Sequence, residues 1–158
     1  MSRFERLISV RGRRGTASVE MAMVAPILIL MLFGIIEFGL MFNSLMMLNN
    51  ATREAARSAG VGSLPEEINA RLDGAAGRLD RDELTVYLEF RTWMAYYWSE
   101  WTPIVADGSQ NSAPSGSQIR VRTAYNYKLV VGNLFSRFAD DPENNTKLLK
   151  ASVIMRRE

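Results

Sequence analysis

Two carboxylates flank an otherwise apolar stretch of this chain, and they are the plainest chemistry its sequence offers. Glu20 precedes the run Met21 to Ile36, and Glu37 follows it. A charge held at bilayer depth costs about 2.5–3.5 kcal/mol on insertion scales, so an acid retained there has a partner or a task. Glu20, near the helix end, is cheap to hydrate. Glu37 lies 17 positions further on, about 25 Å along a helix at the standard rise. It either snorkels to the outer interface or serves as a candidate helix–helix contact.

Elsewhere the chemistry is thin. The chain has no His and no Cys, which removes the commonest general base, the thiol nucleophile and most zinc sites. No catalytic residue, cofactor or metal is assigned, and the expectation is that the protein is not an enzyme. Asp140-Asp141-Pro142-Glu143-Asn144-Asn145 offers oxygen ligands for Ca²⁺ but lacks the loop spacing of a known site. Asp80, Asp82 and Glu83 read as a solvated turn. Trp93, Tyr96, Tyr97, Trp98 and Trp101 gather all three tryptophans into nine residues. Rings of that size pack into a core or under a loop, form a partner or membrane interface, or stack on carbohydrate.

The element that positions the two acids is a long helix. Met21 to Ile36 is 16 residues without a charge, and continuing past Glu37 to Leu48 gives 28, about 42 Å of helix. Roughly 20 apolar residues suffice to cross a bilayer. The run is apolar all round, so it has no polar face to turn to water. Arg3, Arg6, Arg11, Arg13 and Arg14 against Glu5 give residues 1–15 a formal charge of +4, whereas the whole chain carries +2. By the positive-inside rule the N-terminus is cytoplasmic and the rest lies outside. Residues 16–158 carry −2 and offer no basic face by composition, so nucleic acid is not expected as a partner. Membrane lipid is. Without Cys there is no disulfide, and the domain outside must rest on packing.

Arg11-Gly12-Arg13-Arg14-Gly15, then Thr16-Ala17-Ser18-Val19-Glu20 and the apolar run, resembles a type IV prepilin signal. Ordinary secretory signals are cut after the apolar region, whereas this one would be cut before it. With Glu37-Phe38-Gly39 and the segment Asn49 to Arg57, the chain closely resembles the TadE-like (TadE/TadF) pseudopilins of tight-adherence (Tad/Flp) type IV pilus systems. Val121 to Tyr127 and Ala151 to Glu158 are similar to that family's last strands, whereas residues 61–117 resemble nothing we can name. The resemblance implies processing by a prepilin peptidase between Gly15 and Thr16. It also implies that Glu20, the fifth residue of the mature chain, attracts the new amine of Thr16 during assembly. Other pseudopilins or pilins and the Tad assembly machinery are the partners it implies.

The rest of the sequence reads as an α+β domain. Beyond a membrane helix over 16–48, the spacing of Leu45, Leu48, Ala51, Thr52, Ala55, Ala56 and Ala59 extends the helix over 49–62, with Gly60 or Gly62 as its stop. Arg53, Glu54 and Arg57 then face water. Ser63 reads as an N-cap with Pro65 in the first turn, and the 3.6-residue period predicts a short helix over about 65–79. Strict alternation at Leu84 to Arg91, Ile119 to Tyr127 and Leu149 to Met155 predicts an antiparallel sheet of about three strands. Residues 106–118 read as a flexible polar loop. The domains expected are therefore a cleaved leader 1–15, the helix with its extension, and a small domain 63–158 with the aromatic segment 93–101. The function that follows is a minor pseudopilin supporting pilus assembly for adherence or secretion, held in the bacterial inner membrane. The alternative is a single-pass anchored extracytoplasmic binding or sensor module.

Overall fold

The computed structural model describes residues 9–158, with side chains from Gly15 onward except at Asn133. The leader charges at Arg3, Glu5, Arg6, Arg11, Arg13 and Arg14 lie outside the described side chains. The chain divides into two compact units, one ending at Gly39 and one spanning Leu40–Glu158. Helix α1, Ser9–Gly60, runs through both.

In the first unit α1 passes through Pro26 without a break. Ile27, Leu28, Ile29 and Leu30 are all exposed, and four consecutive positions sweep about 300° around a helix. The apolar surface therefore faces outward in every direction, unlike a core helix, which buries its apolar stripe. Among the described residues this is the one helix long and apolar enough to cross a membrane. That is the character of a single-pass membrane anchor.

In the second unit the same helix becomes one-sided. Leu48, Ala51, Ala55, Ala56 and Ala59 are fully buried, while Arg53 and Arg57 face water. Small side chains let the helix approach a sheet closely, and Thr52 uses that proximity. Its hydroxyl donates to Leu48 O at 2.6 Å, and because a hydroxyl has one hydrogen, Thr123 must donate across the 2.6 Å to Thr52 Oγ1. Both are buried. Thr52→Val should therefore strand the Thr123 hydroxyl at a cost of about 1–3 kcal/mol, and adding Thr123→Val should recover most of it. Denaturant unfolding in detergent, followed by the fluorescence of the three tryptophans of this unit, reads both variants.

Helix α2, Pro65–Ala76, lays Ile68, Leu72 and Ala76 into the same core. It starts and ends differently from the expectation. Leu64, not Ser63, is its N-cap, without a side-chain bond, because Ser63 is engaged elsewhere: its N–H bonds Ser58 O and its carbonyl accepts from Asn111. Pro65 sets the first turn instead. Gly77, at φ +62°, stops the helix three residues early, since that left-handed φ cannot continue it.

A 3₁₀ turn at Arg81–Glu83 leads into β1, Leu84–Arg91. Two short strands, β2 (Trp93–Met94) and β3 (Tyr97–Trp98), form a hairpin; β4, Thr102–Pro103, follows; then β5 (Ala106–Asp107) and β6 (Gln110–Asn111) form another hairpin. The long strands are β7, Gln118–Lys128, and β8, Thr146–Arg156, with a four-residue helix α3, Gly132–Phe135, and a 3₁₀ turn at Ser136–Phe138 between them. The main sheet is antiparallel in the order β4-β1-β7-β8. Its inner face carries Ile119, Val121 and Thr123 against the helices. The three expected strands are present, joined by β4 at the edge. Residues 106–118 hold the two-residue strands β5 and β6 and reach β7 at Gln118, and they bury Asn111, Ala113 and Ser117.

Candidate functional site

Gly15, Thr16 and Glu20 are exposed on α1. Glu37, on the same helix, is only 3% exposed. One acid is thus presented and the other is covered within the chain.

The aromatic segment does not join the core. Trp93, Met94, Tyr96 and Tyr97 are exposed, Tyr96 at 92%, because the β2–β3 hairpin leaves the sheet after Arg91. Trp93 and Trp98 meet edge to face at 5.2 Å. Ala95 turns the hairpin at φ +47°, a conformation that only glycine takes without cost. Beneath it, Arg91 lies 4.9 Å from the Trp98 ring and 4.6 Å from the Trp101 ring, and Arg120 lies 3.9 Å from Trp101. Each cation sits over a ring face, where the quadrupole attracts it. Gln118 accepts from Arg91 Nε at 2.9 Å. A groove of about 400 Å³ opens beside the hairpin between Trp93, Trp98, Gln118, Ile154 and Arg156.

Those arginines correct the expectation that residues 16–158 have no basic face. Strand register puts Arg91, Arg120 and Arg122 on the outer side of the sheet, although 29 residues or more separate the first from the others. Glu89 draws in two of them, with Arg120 at 2.7 Å and Arg122 at 2.9 Å. Arg122 also covers Tyr87 at 5.2 Å. The guanidiniums are thus held on rings, amides and one carboxylate of the same face.

A second constellation, which no local pattern in the sequence marks, closes the end of α1. Arg157 is only 8% exposed. It donates from Nη1 to Asn111 Oδ1 at 2.6 Å and from Nη2 to Gln110 Oε1 at 2.8 Å. Asn111 in turn donates to Ala59 O at 3.1 Å and Ser63 O at 3.0 Å. Gly62, at φ +89°, leaves room for the guanidinium: a Cβ there would lie 2.8 Å from Nη2. No described carboxylate pairs with Arg157. The charge is held by amide oxygens and by its place at the C-terminal, negative end of the helix dipole.

The acidic loop does not converge on a cation. Asp141 folds back on the N–H groups of Glu143 and Asn144 and on the Asn144 side chain. Asp140 takes Lys147 Nζ at 2.7 Å and the Leu148 N–H at 3.0 Å. These bonds hold both carboxyls below the usual aspartate range, the Asp140 shift led by Lys147 and the Asp141 shift by Asn144. The ionised forms are thus the ones that order this loop, and that contribution is present above the ordinary aspartate range and fades as pH falls below it. Among the described residues no three acids are grouped so that they could hold a metal ion.

Neither a curated protein nor a solved structure matches the chain. Over residues 15–57, from the glycine of the leader motif through the apolar run and into the Ala-rich extension, the chain matches the model of the TadE-like protein family, the pilus-associated family that its sequence resembles.

Proposed function

We propose that this protein is a minor pseudopilin that supports assembly of a Tad/Flp type IV pilus. The observation that carries the reading is the extent of the family match, which begins at Gly15 and takes in Thr16, Glu20 and the whole apolar run. A prepilin peptidase removes the basic leader after Gly15, the helix stays in the inner membrane with its N-terminus cytoplasmic, and Leu40–Glu158 stands outside. Glu20 then attracts the Thr16 amine of the same or a neighbouring subunit. The Trp93–Trp98 hairpin is the candidate surface for another pilus component.

Coexpression with a cognate peptidase tests the first step. Intact mass should show a chain that begins at Thr16, and Gly15→Val should leave the precursor whole. A wild-type chain that stays unprocessed would remove the pseudopilin reading and leave the membrane anchor standing.

One observation favours a second reading, an anchored extracytoplasmic binding module. The exposed rings of Trp93, Tyr96 and Tyr97 sit beside an open groove. Normal piliation in a strain that lacks the protein would favour this alternative.

A further inference from the structure

The end of the second unit nearest Leu40 carries apolar surface on its outside. Thr52 meets Thr123, and Gly60 lies against Arg156, which shares its register with Gln118. Strand β7 therefore runs opposite to α1. From Thr123 to Lys128 it advances about 16 Å at roughly 3.3 Å per residue, a distance α1 covers in about eleven residues, which brings the end of β7 level with Met41. Met41 and Leu45 accordingly pack on the cluster that holds Tyr127, Leu129 and Phe135.

Past Lys128 the chain turns through α3 and the 3₁₀ turn before it returns as β8. Phe135 pins this segment to the core, while Val130 is 67% exposed, Leu134 47% and Phe138 59%. Lys128 and Arg137 are exposed at its two ends, and the neighbouring Asp140 and Asp141 are occupied by the bonds described above. On the single-pass reading, on which this inference rests, the roughly 20 residues from Met21 to Leu40 cover the hydrocarbon thickness. Leu40 then marks the outer boundary of the bilayer.

The geometry points to Val130, Leu134 and Phe138 as a second membrane contact, one that seats the domain on the outer leaflet. Apolar side chains enter the headgroup boundary there, while Lys128 and Arg137 reach the phosphates, the division of labour of interfacial segments. The aromatic hairpin does not share this role. It leaves the sheet at the Gly60 end of the unit, about 30 Å of helix from Leu40.

Because the chain has no native Cys, single cysteines at Leu134, Phe138, Tyr96 and Leu30 can each carry an environment-sensitive fluorophore. The full chain is reconstituted in phosphatidylcholine–phosphatidylglycerol vesicles, with and without lipids that bear a nitroxide on the acyl chain. Probes at 134 and 138 should emit blue-shifted and lose most of their emission to the nitroxide, as the probe at 30 does, whereas the probe at 96 should keep its emission. Quenching at 30 but not at 134 or 138 would overturn this inference alone. A blue shift at 134 without quenching would overturn it too, because a protein surface would then cover the segment. No quenching at 30 would take down the membrane-spanning reading and this inference together.

Discussion

A deletion strain complemented with Glu20→Leu is expected to make no pili while holding as much of the protein in its membrane as wild type. The two halves of that result have separate causes. Removing a carboxylate from the edge of an apolar helix lowers the insertion cost, so the membrane level stays equal or rises. Assembly, on the proposed role, needs the negative charge opposite the Thr16 amine, and leucine has none. Glu20→Gln keeps the size and polarity of the side chain but not its charge, and should fail nearly as completely. Adherence or pilus counts beside a membrane immunoblot measure both halves. Full piliation with either variant at normal protein level would reduce Glu20 to a hydrated boundary residue.

The largest loss of stability should come from a residue far from the family match. Asn111→Leu takes the side-chain donor from the Ser63 carbonyl, leaves the Ala59 carbonyl only its bond from Gly62 N–H, and sets the buried Arg157 guanidinium against a hydrocarbon side chain. Stranding a buried charge in this way costs about 3–5 kcal/mol. The double variant Asn111→Leu/Arg157→Leu removes the charge together with its acceptor, so it should be more stable than Asn111→Leu alone, a deficit smaller than the sum of the single effects. Tryptophan fluorescence during thermal unfolding in detergent reports both, since Trp93, Trp98 and Trp101 all lie in this unit. Additive effects would mean that the two residues act independently and that the clamp is geometry without energy.

What the sequence made legible shares one property: it depends on neighbours along the chain. The apolar run, the alanine stripe from Ala51 to Ala59, and the alternation of β1, β7 and β8 each repeat with their own period, so position alone assigns each side chain a face. Gly60 and Gly62 read as a stop for the same reason. The misses depend on partners distant in sequence. Arg91, Arg120 and Arg122 look scattered until β1 pairs with β7. Asn111 sits in a polar stretch that composition marks as a loop, and only Ala59, Ser63 and Arg157, up to 52 positions away, turn it into an anchor. Ser63 has the chemistry of an N-cap, but its backbone groups are taken by Ser58 and Asn111. The covered state of Glu37 was equally beyond a reading that placed it only by depth.

The Arg157 clamp also sets an order for making this protein. The Ala-rich part of α1 is synthesised before its sheet partners, because β8 and Arg157 follow every other element of the domain in chain order. Until then β7 lacks one of its two neighbours, and the carbonyls at the end of the helix lack the amide that the clamp steadies. The helix is therefore available to the membrane well before its domain can close, and the contacts that finish the fold span most of the domain's length, a topology that slows folding. A chaperone or protease that meets the growing chain finds an anchored, open domain, and the clamp closes only once residue 157 arrives.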